Sequence, residues 1–181
     1  MRRLILLRHA KTERDAPSGE DIDRRLEARG CSDAAAIGRW MARQHYRVDH
    51  VLVSTAVRAR QTWDIIEPLL GDLATAAEVA DLPELYLADP AEILRIIRET
   101  AAPDAHHLLL IGHNPGLHEL AFALVADGDK AARSALSSSL PTGGLIVIDF
   151  AIDDWGDVSF QRGSLKRFIS PKLLKLSSRG D

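Results

Sequence analysis

Two arginines and two histidines in this chain follow short apolar runs closely enough to do chemistry together. Residues 4–7 (Leu-Ile-Leu-Leu) lead straight into Arg8-His9. Residues 51–53 lead into Ser54-Thr55, with Arg58 one helical turn later. Residues 108–111 lead into Gly112-His113-Asn114. A guanidinium presents a fixed fork of donors that matches a tetrahedral oxyanion. An unprotonated imidazole is a nucleophile or base near neutral pH. Four such groups leaving three runs at one edge suit a phosphate-like ligand, and helix starts after Thr55 and Asn114 would add backbone N–H groups and positive dipole ends. Each residue alone also reads as a solvated charge or a structural histidine, as His45, His50, His106, His107 and His118 do. His106-His107 lack the carboxylate–histidine spacing of a metal site, so neither metal nor cofactor is expected.

The elements that must position these residues are legible in the same runs. Apolar runs without polar alternation read as strands buried on both faces. Apolar residues at helical spacing fall at 26–44 (Ala34, Ile37, Met41), at 56–70 (Ala59, Trp63, Ile66, Leu70) and at 90–98 (Ile93, Leu94, Ile97). A further helix runs to about 125, with Asn114 as its N-cap and Pro115 in its first turn. Residues 78–80 suggest a short strand. Strands alternating with helices imply an α/β sheet that is mostly parallel, and in such sheets ligands bind beyond the carboxyl ends of the strands. Pro141-Thr142-Gly143-Gly144 is a turn, followed by an expected hairpin of strands 145–152 and 158–162. The polar stretch 11–25, with Pro17, Ser18 and Gly19, reads as a long loop of the kind that is often functional.

The chain has 181 residues, 46% hydrophobic and 27% charged, which is enough for one domain with its own core. We expect that domain over 1–170, with 171–181 a basic, polar tail of little structure. The tail reads as a solvated terminus, with docking of an acidic partner as the alternative. Twenty-three Lys and Arg against twenty-six Asp and Glu give a net charge of −3, which argues against a general nucleic-acid binder. The single cysteine, Cys31, excludes a disulfide framework. The apolar runs are too short to span a membrane, and Arg8-His9 interrupt the one that imitates a signal peptide. A cytoplasmic protein is expected. Nothing in the pattern bears on oligomeric state.

Three of these segments carry a resemblance. Leu6-Leu7-Arg8-His9-Ala10-Lys11 resembles the opening signature of the histidine phosphatase superfamily, an apolar strand followed by Arg-His-Gly. Ser54-Thr55-Ala56-Val57-Arg58-Ala59-Arg60-Gln61-Thr62 is similar to the second motif, with Arg58 in the phosphate-binding place. Gly112-His113-Asn114-Pro115-Gly116 is similar to the third, with His113 as the second active-site histidine. The likeness runs from the first strand to Gly143-Gly144. Asp23-Arg24-Arg25-Leu26 with Arg29-Gly30, and Leu85-Tyr86-Leu87-Ala88-Asp89-Pro90, resemble the small SixA-type phosphohistidine phosphatases. Two positions depart: Ala10 replaces the usual glycine, and Asp15 stands about where the mutase-like branch often has an asparagine. A carboxylate there would repel phosphate unless turned away, so Asp15 is left out of the expected site.

The resemblance implies a three-layer α/β/α, phosphoglycerate mutase-like fold with no large insertion domain. It implies a metal-independent phosphohistidine phosphatase acting on a phosphorylated signalling or phosphotransfer protein. His9 would be the nucleophile and form a covalent phosphohistidine. Arg8 and Arg58 would clamp the phosphoryl oxygens, a protonated His113 would add charge, and Arg24 would close in from the loop. Glu84 lies where phosphomonoesterase relatives place a general acid, or is a solvated glutamate. The distinction matters because an alkoxide, with water at ~15.7 as a stand-in, needs that acid, whereas imidazole, titrating near ~6.5, leaves without it. The alternatives are a broad small-molecule phosphomonoesterase acting on small phosphoesters, less readily a mutase, and a non-catalytic phospho-binding module.

Overall fold

A computed structural model describes residues 1–177. Its strands are β1 Arg2–Arg8, β2 His50–Ser54, β3 Glu78–Leu82, β4 His107–Gly112, β5 Val125–Gly128, β6 Leu145–Phe150 and β7 Gly163–Ile169. Its α-helices are α1 Ala28–Arg43, α2 Val57–Leu70, α3 Pro90–Thr100, α4 Gly116–Leu124, α5 Lys130–Ser138 and α6 Pro171–Ser177. The strands form one sheet in the order β3-β2-β4-β1-β6-β7-β5. Only β6 runs against the others, so the sheet is mostly parallel, as expected.

Alternate residues of each buried strand point to opposite faces, and both faces here are covered. Ile5, Leu7, Val51, Val53, Leu109 and Ile111 pack against Ile37, Trp40 and Met41 of α1 and Trp63 and Ile66 of α2. Leu4, Leu6, Leu52, Leu108 and Leu110 pack against Ile93 and Ile97 of α3, Leu117 and Leu120 of α4 and Leu136 of α5. This is why the strand sequences show no polar alternation, and it gives three layers. The order β2-β4-β1 brings the three motif-bearing strands side by side and parallel. Register pairs Arg8 with Gly112 and Val53 with Ile111, so the three exits lie level at one sheet edge.

Three local expectations are corrected, and two elements are additions to them. The strand after β6 is β7, not 158–162. Trp155 and Val158 go into the core instead, with Trp155 Nε1 donating to the Ala105 carbonyl at 2.7 Å. The short β5, mostly exposed, and α5, N-capped by Asp129 accepting from Ala132 N at 2.7 Å, carry no clear periodic signal and were not foreseen. The segment 171–177 is helix α6, tied to the domain by Lys175 Nζ donating to the buried Asp33 at 2.7 Å, with Leu174 against the α1–α2 core. The end of the expected tail, 178–181, lies outside the described residues. Finally, Asn114 does not cap α4: its amide donates to the Leu140 carbonyl at 2.9 Å, and Pro115 precedes the helix. No helix among the described residues is long and apolar enough to cross a membrane.

Candidate active site

His9 follows β1 and stays in the ladder. Its N–H donates to Gly112 O at 3.2 Å, and its carbonyl accepts from Gly143 N at 3.0 Å. The backbone at the exit is therefore fixed on both sides. His9 Nδ1 lies 2.8 Å from the carbonyl of Ala10. A carbonyl only accepts, so Nδ1 carries the proton and Nε2 keeps its lone pair. Ala10 is buried with Leu26 and Ala34, and its N–H donates to Thr62 Oγ1 at 3.1 Å. Its φ is not left-handed, so the methyl is accepted where glycine is usual.

Arg58 sits in the first turns of α2 and is only 3% exposed. His113 follows β4, 2% exposed, with Nε2 2.8 Å from Ser54 Oγ at the end of β2. The His9 and His113 ring centroids are 5.2 Å apart. Arg8, His9, Arg24, Arg58 and His113 all line one cavity of about 350 Å³. The expected residues are thus brought together, with one exception. Glu84 is exposed in the short turn Pro83–Leu85 and does not line the cavity, because that turn buries Leu85 instead. Of the two readings left open for Glu84, a general acid or a solvated glutamate, this placement fits the second. Asp15 is also exposed and outside. A larger cavity of about 560 Å³, between Phe122 of α4 and Arg133 of α5, holds none of these groups.

Two glycines let backbone approach the site. A Cβ on Gly30 of α1 would lie 1.9 Å from the Lys11 carbonyl oxygen, and one on Gly116 of α4 would lie 2.0 Å from that of Ala88. The first contact seats the loop after His9. The second seats the segment that carries Tyr86 beside His113, whose rings meet edge-on at 5.6 Å.

Asp21 and Tyr86 were missed. Asp21 Oδ2 accepts from Arg58 Nη2 at 3.0 Å and from the Tyr86 hydroxyl at 2.7 Å, and Oδ1 accepts from Arg24 Nη1 at 2.9 Å. The loop 11–25 is therefore folded across the cavity, with Arg24 also bonded to Thr12 Oγ1 at 2.6 Å and Glu13 O at 3.0 Å. Asp21 is one acid among several in a polar stretch, and no spacing singles it out.

Burial dominates the electrostatics. It lowers His9 from the ordinary 6.5 to about 4, helped by the charges of Arg58, Arg8 and Arg24 and opposed by the bond to Ala10. It lowers His113 to about 3, with His9 and Arg58 adding to the effect. His113 is therefore neutral at pH 7, whereas the expected role calls for a charged ring: desolvation beside two guanidiniums outweighs the Asp21 carboxylate. Hydrogen bonds from Tyr86 and Arg24 hold Asp21 well below the ordinary carboxylate range. Three buried polar atoms here, Arg8 Nε, His113 Nδ1 and Asn114 Oδ1, have no hydrogen-bond partner among the described residues. Such atoms are rare in native proteins, and a bound ligand is one way of satisfying them. A neutral imidazole with a free Nε2, in a cavity shared with three guanidiniums, can attack an electrophilic oxyanion such as a phosphoryl group.

Comparison with known proteins agrees. The model for the histidine phosphatase superfamily (branch 1) matches residues 4–107. An uncharacterised protein of Mycobacterium leprae is 31% identical over 170 residues, covering 92% of this chain and 100% of its own. Phosphohistidine phosphatase SixA of Escherichia coli is 30% identical over 113 residues, 62% of this chain and 67% of that one. A crystal structure from Agrobacterium tumefaciens, provisionally assigned as phosphohistidine phosphatase SixA, superposes with a TM-score of 0.77 at 30% identity over 94% of this chain and 98% of its own.

Proposed function

From the premise that this chain belongs to the histidine phosphatase superfamily, on its SixA-type branch, we propose that it hydrolyses phosphohistidine on a signalling or phosphotransfer protein. The observation that carries the choice of substrate is the cavity's acid inventory. Among the described residues its one carboxylate is Asp21, held ionised, and Glu84 stands outside. An ester leaves as an alkoxide and wants a placed acid. A phosphorylated imidazole with a proton on its other nitrogen leaves as neutral imidazole.

In this reading His9 Nε2 attacks phosphorus, and the phosphorus–nitrogen bond of the substrate breaks with its electron pair on the departing imidazole. Arg8, Arg58 and Arg24 hold the phosphoryl oxygens, positioning the group and stabilising its charge. Ser54 Oγ–H donates to His113 Nε2, which leaves the His113 proton on Nδ1 as a neutral donor to a phosphoryl oxygen. Water then attacks the phosphorylated His9, the bond to Nε2 breaks and inorganic phosphate leaves. No step calls for a metal.

The test is phosphate release in EDTA from a phosphohistidine protein and a phosphoserine peptide side by side. Release from phosphohistidine alone is expected. Equal release from both would assign a phosphomonoesterase, and phosphate binding without release would assign a binding module.

A further inference from the structure

Asp21 holds the donors that a phosphoryl group needs. Its carboxylate accepts from Arg58, Tyr86 and Arg24 at 2.7–3.0 Å, and its backbone carbonyl accepts a second bond from Arg58 Nη1 at 2.7 Å. Three donors converging on a two-oxygen anion are the arrangement of an oxyanion site, and a carboxylate and a phosphoryl group compete for the same guanidinium forks. The two ends of this pairing differ in freedom. Arg58 is 3% exposed and anchored in α2, whereas Asp21 is 45% exposed in a loop whose neighbours on either side are exposed or half-buried. A phosphoryl dianion entering beside a fixed Asp21 would meet a like charge in the same cavity, which is strongly unfavourable. The exposed carboxylate is the one that can yield.

We propose that Asp21 is a built-in competitor of the phosphoryl group: between turnovers it holds Arg24, Arg58 and Tyr86, it surrenders them to the substrate, and it takes them back from product phosphate. The loop 11–25 is then latched by the same ion pair that substrate replaces. The competition weakens ground-state binding of substrate and product alike, and it speeds release of phosphate. The inference rests on the cavity being a phosphate site and is independent of the leaving group.

Asp21→Asn keeps the size and one acceptor oxygen and removes the charge. Inorganic phosphate, titrated calorimetrically into wild type and variant at one ionic strength, is expected to bind the variant tighter by on the order of tenfold. KM and phosphate inhibition constants should fall together, and kcat should fall as release slows. Equal or weaker phosphate binding by a folded variant overturns the proposal, because Asp21 would then be a bystander or a fixed positioning group for the arginines. Should the variant not fold, carbon-13 NMR of the wild-type Asp21 carboxyl decides: saturating phosphate should shift its signal and raise its titration midpoint, and an unmoved signal overturns the exchange. Wild type that binds phosphate but hydrolyses no phosphohistidine removes the proposed function and leaves the exchange standing. Absence of phosphate binding by both proteins overturns the exchange, while phosphohistidine hydrolysis decides the proposed function separately.

Discussion

The Nδ1 atoms of His9 and His113 have opposite fates although the two ring centroids are 5.2 Å apart: His9 Nδ1 donates to the Ala10 carbonyl at 2.8 Å, and His113 Nδ1 is buried without a partner among the described residues. The first bond fixes a tautomer and leaves a lone pair for attack. The second atom is open to a ligand. Two histidines from neighbouring parallel strands thus take different parts, and burial keeps both rings neutral at pH 7.

The acid limb of kcat/KM should fall near pH 4, the titration of His9 in the free enzyme, instead of at the ordinary histidine value of 6.5. Stability should follow with a definite sign. Between about 4 and 6.5 the unfolded chain binds the His9 proton and the folded chain does not, so stability falls as pH drops through that window and this contribution levels off below it. Urea melts and rate profiles over pH 3–8 check both. A rate midpoint at the ordinary histidine value would show that His9 is not desolvated.

Arg58→Ala should lower kcat/KM by roughly a hundredfold or more, the usual cost of removing a donor to a transition-state oxyanion. Arg58→Lys should recover only part of this, because a point charge replaces a planar fork. Full recovery by lysine would show that net charge suffices. Steady-state kinetics on a phosphohistidine protein makes the comparison.

Glu84→Gln should leave hydrolysis of both a phosphohistidine protein and a phosphoserine peptide unchanged within about twofold, since an exposed side chain outside the cavity touches no reacting atom. A loss of on the order of a hundredfold on the phosphoserine peptide, whose alkoxide needs a general acid, would give Glu84 that role.

Gly30→Ala should lower the melting temperature and the turnover together. The added Cβ would lie 1.9 Å from the Lys11 carbonyl oxygen, so α1 and the loop after His9 must move apart, at a cost of about 1–3 kcal/mol for an overpacked site. Gly19→Ala, whose Cβ meets nothing within 4 Å but whose φ is +82°, is the control for backbone strain without a clash.

The runs 4–7, 51–53 and 108–111 disclosed the central strands because burial on both faces removes polar alternation. Arg8, His9, Arg58 and His113, each within five positions after a run, line one cavity. What escaped lacks such a local signal. The strand β5 is short and mostly exposed, and β7 begins only after Trp155 and Val158 have turned into the core. Asp21 and Tyr86 owe their place to a loop folded back onto α2, through hydrogen bonds spanning 37 and 65 residues. Glu84 shows the converse. Its position along the chain was suggestive, but the turn that carries it buries Leu85 and leaves the glutamate outside. The protonation state of His113 depended on burial beside Arg58 and Arg8, which a strand exit alone does not reveal.

The most direct test of the account is a rapid quench of the enzyme with a phosphohistidine protein, read by phosphorus NMR and peptide mapping. The wild type should carry an acid-labile phosphoramidate on His9, and His9→Ala should show neither that adduct nor phosphate release. Phosphate release by His9→Ala at the wild-type rate, or an adduct on another residue, would contradict it.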